Sequence, residues 1–323
     1  MPPKPRASTS PVLPVALALH DPKSRYWAYT ATAIHSLCLH SSVPLGIHLL
    51  HDETVQLSTL AALQKICAAQ DHGFTSHQVR LPAKIDSWNF EQFSPASVYR
   101  LMIPQLLSEH PLVLYLDSDI IFNGLDVAEL LQYVQQDSDE HPLAAAHDPL
   151  FTCQSAQVRE LAQIGISAEQ YFQSGVLLMR PPKIRMNLME ALEAFAAQHP
   201  GITHLDQDLL NVLFKEQVFR LPPKFNCQVN ISYGQCFQEL SFYEGKILHY
   251  SGKTKPLGGT LCPPDIFFWR YSLPLGDRLS GLLPPTLRYL QKMREHPHGA
   301  RLIRVVEPPS DTAQSSHPQG RAV

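Results

Sequence analysis

The segment "LVLYLDSDIIF", residues 112–122, sets Asp117 and Asp119 one residue apart inside an apolar run. An unpaired buried carboxylate costs several kcal/mol or takes up a proton to avoid that cost, so the pair calls for a strand end and a cation. Two hard oxygen donors at this spacing can share a divalent ion and leave positions open for water or for diphosphate oxygens. The same tripeptide also suits a turn whose aspartates accept backbone N–H bonds, and the motif alone does not separate the two readings. A second group, "HYSGKTKP" at 249–256, supplies His249 as a third ligand, Gly252 where backbone can approach a phosphate, and Lys255 to neutralise it. Nitrogen beside carboxylate oxygen suits Mn2+ better than Ca2+, with Mg2+ as the second candidate. A third group, "HLDQDLLN" at 204–211, gathers Asp206, Gln207 and Asp208 on the first turn of a helix. Asp206 stands three residues after Thr203 and fits a capping box, whereas the amide and carboxylate beside it suit the hydroxyls of a sugar. Arg100, in "VYRLMIP", is either a surface cation or a planar fork for phosphate or carboxylates.

These residues need a scaffold that brings strand ends together. "VLPVALALH" (12–20) is a short Val/Leu/Ala run that turns polar at His20 and Asp21, as a buried parallel strand does. A helix over 26–39, a strand over 44–52 and an amphipathic helix over 54–70, with Leu57, Leu60, Leu63 and Ile66 on one face, continue an α/β pattern. "HQVRLP" (77–82) reads as the third strand, and "SPASVYRLMIPQLL" (94–107) as a helix capped by Ser94 with Pro95 at its first position. "PLVLYLDSDIIF" (111–122) is then the next strand, so Asp117 and Asp119 lie where an open α/β sheet binds ligands. Strands over 142–150 and 171–180, helices over 185–199 and 203–215, and a strand running from 245 into a Gly/Lys/Pro loop complete the pattern.

Composition removes several classes. A chain of 323 residues, 44% hydrophobic, can bury a large core. Its 26 basic residues against 29 acidic ones leave a net charge of −3, which gives no basic field for a nucleic-acid partner. Six cysteines without a C-x-x-C pair argue against a structural zinc or a disulfide scaffold and fit a reducing, cytoplasmic setting. The Pro-containing start reads as a leader and first strand, not a signal peptide, and no uncharged apolar run reaches the length of a membrane span.

In order along the chain, "YRLMIPQLL", "VLYLDSDIIF", "FQSGVLLM", "LDQDLLNVLF", "LPPKFNCQ" and "HYSGKTKP" resemble the retaining glycosyltransferases of family 8. That family includes the bacterial lipopolysaccharide galactosyl- and glucosyltransferases and glycogenin, and the match runs from about Val12 to about Tyr271. The resemblance implies a GT-A fold, a Rossmann-like mixed sheet flanked by helices in one large domain over 12–275. A leader (1–11), a C-terminal helical extension (276–307) and a disordered tail (308–323) flank it. It implies a UDP-sugar donor with a divalent ion on Asp117, Asp119 and His249. Ser118, Gly252 and Lys255 would lie at the nucleotide diphosphate, and Asp21 and Tyr26 at uracil and ribose. Arg100, Asp148, Gln173, Ser174, Gly175, Asp206 and Gln207 would form the shell of the donor sugar, with Gln207 nearest the reacting carbon. The family commonly has Asn where this chain has Gln173, which would move a hydrogen bond by about one methylene and could alter donor preference or rate.

The resulting expectation is Mn2+-dependent transfer of glucose or galactose to a saccharide acceptor such as lipopolysaccharide core or another glycan. Same-face attack by the acceptor hydroxyl is favoured because no carboxylate in the set is an obvious nucleophile. Three rivals remain open, one of them a glycogenin-like self-glucosylation that would need a suitably placed acceptor tyrosine. A sugar nucleotidyltransferase would carry a Gly-rich basic loop after strand one, which "LALHDPKSRY" lacks, and a catalytically silent sugar-nucleotide-binding protein is kept alive by Gln173. The stretch 287–305 mixes Arg288, Lys292, Arg294, Arg301 and Arg304 with Leu and Tyr. It suits peripheral contact with an anionic inner membrane face, or equally a basic helix packed on the domain.

Overall fold

The computed structural model describes residues 11–86, 88, 94–149, 155–200, 204–229, 239–252, 255–258 and 263–278. Its larger sheet has seven strands in the order β3-β2-β1-β4-β7-β6-β8. They are β1 Leu13–Leu19, β2 Leu45–His51, β3 Gly73–Gln78, β4 Val113–Leu116, β6 Leu143–His147, β7 Phe172–Met179 and β8 Val218–Leu221. β3, β2, β1 and β4 run parallel, β7 runs antiparallel to β4 and β6, and β8 pairs parallel with β6. The chain thus forms a doubly wound half whose order reverses between β1 and β4, the place where such sheets leave a crevice at their carboxyl ends.

A smaller sheet, β5-β10-β9, consists of β5 Ile120–Asn123, β9 Cys227–Gln228 and β10 Lys246–His249. The apolar run expected as one strand over 111–122 is therefore two strands, β4 and β5, in different sheets, and the acidic tripeptide is the corner between them. Asp117 N–H still donates to Gly175 O at 2.8 Å, which extends the β4–β7 ladder to the first aspartate. In the small sheet His249 pairs with Ile120 on one side and Gln228 on the other. Register alone therefore brings the histidine beside Asp119.

Both faces of the large sheet are covered, as its continuous apolar strands require. Along β1, Val15, Leu17 and Leu19 enter one core cluster with residues of α1 (Trp27–Leu39), α2 (Leu57–Ala68) and α3 (Val127–Val134). Ala16 and Ala18 enter the opposite cluster with Leu192 and Phe195 of α4 (Leu188–Gln198) and Leu209 and Leu210 of α5 (Leu205–Phe214). A third cluster of Tyr243, Leu248, Tyr250, Phe267, Phe268 and Trp269 supports the small sheet from α6, Asp265–Ser272.

Several boundaries differ from the sequence reading. The third strand is Gly73–Gln78 and not 77–82, because its residues pair in register with β2 before the Pro-containing segment. The helix expected over 94–107 is broken into Ala96–Tyr99, a 3-10 turn Arg100–Met102, and Ile103–Leu106; Pro104 has no N–H for a continuous helix. Ser94 does act at its start, its Oγ accepting from Ala96 N–H at 3.2 Å. Leu57, placed on the buried face of α2 by its spacing, is 83% exposed, since it is the first residue of the helix and lies beyond the neighbours that cover Leu63 and Ile66. Thr203, the C-terminal extension beyond 278, the tail and the leader up to 10 lie outside the described residues. Among the described residues no helix is long and apolar enough to cross a membrane.

Candidate active site and metal centre

Beyond the carboxyl ends of β1 and β4 lies a cavity of about 660 Å3. The corner after β4 supplies Asp117 and Asp119, and β10 supplies His249. One ligand atom from each of the three lies within 4.8 Å of the other two. His249 Nε2 is 3.3 Å from Asp119 Oδ1 and 3.6 Å from Asp117 Oδ2. Backbone closeness fits a metal centre. A Cβ built on Gly175 would stand 2.4 Å from His249 Cε1 and 2.6 Å from Asp117 Oδ2, so β7 passes where only glycine can.

The cations expected near the acidic pair are Arg100 and Lys255. Arg100, 4% exposed, donates from Nη2 to Asp117 Oδ1 at 2.9 Å and from Nη1 to Ser174 O and Oγ at 2.6 and 2.7 Å; its Nε lies 3.2 Å from Asp206 Oδ2. Burial pulls its pKa down, but Asp117 and the other nearby acids more than restore it, so the fork stays charged. Tyr115 donates to Asp117 Oδ1 as well, at 2.7 Å. Lys255 Nζ donates to Asp119 Oδ2 and to Tyr26 Oη, the latter at 2.8 Å. Burial opposes ionisation of Asp119, yet Lys255 and His249 outweigh it and hold that carboxyl well below the usual range. Lys255 is held well above the usual amine range, its own burial being outweighed by Asp119.

Beside this group, α5 presents Asp206 and Gln207 from its first turn. Gln207 Oε1 accepts from Ser174 N–H at 2.9 Å, and its Nε2 donates to Asp148 Oδ2 at 3.0 Å. Asp148 Oδ1 accepts from Gln228 Nε2 at 3.0 Å. The amide and carboxylate are thus fixed in orientation before any substrate arrives. Burial raises the pKa of Asp206, opposed by Arg100. Asp208, on the same turn, faces Tyr171, whose hydroxyl donates to it at 2.6 Å, and burial pushes its pKa up to about 7.

The cavity gathers Tyr26, Arg100, Asp117, Ser118, Asp119, Asp148, Gln173, Ser174, Asp206, Gln207, His249, Gly252 and Lys255 at its lining. Gly252 has φ +81°, a conformation that its lack of Cβ permits. Ser118 lies at the wall, but its hydroxyl donates to Ala18 O at 2.8 Å and accepts from Thr30. Asp21 is not among the lining residues. Its carboxylate accepts from the backbone N–H groups of Arg25, Tyr26 and Trp27 at 2.8 to 3.0 Å and so caps the start of α1. Asp21 acts here by placing Tyr26, because three backbone bonds leave its oxygens turned toward the helix.

Sequence reasoning passed over Asn226 and Gln228. Asn226 Oδ1 lies 3.0 Å from His249 Nδ1, and its Nδ2 donates to Gln173 Oε1 at 2.7 Å. The signal was present in "FNCQ", where two amides at i and i+2 share one face of a strand.

A mixed sheet of this order, with an acidic corner and a histidine from a second sheet at its carboxyl edge, is the GT-A arrangement of nucleotide-sugar glycosyltransferases. The model of glycosyl transferase family 8 matches residues 17–257, and the chain belongs to that family. It is 30% identical over 246 residues to glycosyltransferase GlyE of Streptococcus pneumoniae, an alignment covering 70% of this chain and 52% of GlyE. It is 27% identical over 173 residues to lipopolysaccharide glucosyltransferase WaaO of Escherichia coli, covering 51% of this chain and 50% of WaaO. The chain therefore spans about half the length of these curated relatives. Among solved structures, galactosyltransferase LgtC in complex with donor and acceptor sugar analogs superposes with a TM-score of 0.70 at 21% identity. That likeness covers 84% of this chain and 100% of the LgtC chain, and it bears on the fold.

Proposed function

We propose that the chain is a retaining hexosyltransferase that moves glucose or galactose from a UDP-sugar to a saccharide acceptor, with Mn2+ as its metal. The observation that carries this reading is the convergence of Asp117, Asp119 and His249 in a cavity that is also lined by the prearranged pair Asp148 and Gln207. A bound divalent ion supplies charge stabilisation to a diphosphate leaving group. Lys255, already at Asp119, brings a second positive charge to the same oxygens. Gln207 and Asp148 hold sugar hydroxyls, and their mutual hydrogen bond keeps them from relaxing away during the reaction. Asp206 is paired with Arg100, and Asp148 is held by two amides. This pairing favours same-face attack by the acceptor hydroxyl over a covalent intermediate. WaaO is named as a lipopolysaccharide glucosyltransferase, which makes a lipopolysaccharide core the first acceptor class to try. A cytoplasmic location with contact to the inner membrane face extends the proposal.

The test is UDP release from a panel of UDP-sugars with Mn2+ or EDTA, by wild type and Asp119→Asn. Release from one hexose donor, lost with EDTA and in the variant, is the expected result. Wild-type protein that binds UDP with Mn2+ but turns over no donor would replace the transferase with a silent binding protein.

A further inference from the structure

Proton positions around the candidate metal centre can be followed from one group whose role is not in doubt. A backbone N–H can only donate, and Gly175 N–H meets the Gln173 side chain at 2.5 Å, so the atom there is the acceptor Oε1. The same oxygen lies 2.7 Å from the Asn226 amide, which must therefore turn its donor Nδ2 toward it. That leaves Asn226 Oδ1 facing His249 Nδ1 at 3.0 Å. An amide oxygen accepts only, so Nδ1 carries the ring proton. In the neutral ring the lone pair is then on Nε2, the atom that faces Asp117 and Asp119.

We infer that Gln173 and Asn226 are positioning residues that lock His249 in the Nδ1–H tautomer, anchored on the Gly175 amide, and so present Nε2 as a metal ligand. The inference rests on the metal site of the proposed function. It also gives a reason for glutamine at 173. Asn226, Gln173 and His249 are all less than a tenth exposed, which limits competition from water for these bonds. Outer hydrogen bonds of this kind set ligand orientation and basicity, and their loss typically weakens metal binding 10- to 100-fold.

The test has two independent readouts. Nitrogen-15 shifts of His249 in metal-free protein, taken on the alkaline plateau where the ring is neutral, report the tautomer. Mn2+ titration followed by the electron paramagnetic resonance of the free ion reports affinity. Wild type is expected to carry its proton on Nδ1. Asn226→Leu and Gln173→Leu are expected to admit the Nε2–H form and to weaken Mn2+ binding by about 10- to 100-fold. Gln173→Glu, which keeps an acceptor for both donors, is expected to retain the Nδ1–H tautomer and decides the matter if the leucine variants do not fold. A wild-type proton on Nε2, a Gln173→Glu protein that moves the proton there, or leucine variants with unchanged affinity would overturn the inference. Absence of Mn2+ binding by wild type would instead overturn the metal site, while the nitrogen shifts would still decide the relay.

Discussion

Arg100 is the residue on which the buried charges of the site balance. Its guanidinium bridges Asp117, Asp206 and Ser174, with Asp206 buried and Asp117 half-buried at the cavity. Arg100→Met is expected to destabilise the fold by about 3 kcal/mol, because the buried Asp206 loses its partner while Asp117 keeps access to the cavity. Arg100→Lys should recover part of this and not all, since an ammonium cannot reach three partners as a planar fork does. Urea unfolding midpoints of the three proteins check the order. Asp208 gives the opposite kind of test. Its folded pKa, raised by burial to about 7, favours the protonated form, so its contribution is present in full below the unfolded pKa and is lost as pH rises through the folded one. Asp208→Asn, which keeps an acceptor for Tyr171, is expected to match wild type below about pH 4 and to exceed it in stability above about pH 7. Melting temperatures of both proteins across that window would check it, and parallel profiles would show that the carboxyl is not the titrating group.

At the scale of elements, the site depends on two sheets meeting at one corner, and this was only partly legible. The continuous run of Val, Leu and Ile residues marked 111–122 as extended and the aspartates as its polar break. Nothing local said that the chain changes sheet there, because Leu116 and Ile120 are equally apolar and equally buried. That switch is fixed by pairing with β7 and β10, partners about 60 and 130 residues away in sequence. The candidate ligands Asp117, Asp119 and His249 were readable as residue types at motif spacing. The capping bonds of Asp21 were not legible, because a carboxylate at a strand end and a helix cap look alike until the following backbone is known. The closest element contact in the site is β7 against the acidic corner. Gly175→Ala puts a methyl group where His249, Asp117 and Gln173 already stand, so these site residues must shift. A displacement of about 1 Å at a reacting centre can cost roughly a hundredfold in rate. Gly175→Ala is therefore expected to lose UDP-sugar turnover by about that factor, with far-UV circular dichroism unchanged. Retained turnover would mean that β7 can give way.

At the scale of the whole molecule, the same geometry makes the ligand a fastener between the two sheets. Asp117 and Asp119 are fixed by β4 and its corner, whereas His249 belongs to β10 and Lys255 to the segment after it. A divalent ion on the first three would join the large sheet to the small one, and under the proposed function a nucleotide diphosphate at the ion and Lys255 would add a second join. Anything that binds the folded chain and not the unfolded one stabilises by mass action, by about 2.7 kcal/mol at a hundred times its dissociation constant. For a chain of this size that corresponds to a rise in melting temperature on the order of a few degrees. Mn2+ with UDP is therefore expected to raise the melting temperature, and UDP with EDTA to raise it much less. In Asp119→Asn the Mn2+ increment should vanish while any metal-independent UDP increment remains. Asp119 is also the partner of Lys255 in the ligand-free protein, so the variant should start from a lower melting temperature. An Mn2+ increment that persists in Asp119→Asn would place the ion elsewhere and leave Asp119 as the counter-charge of Lys255 alone.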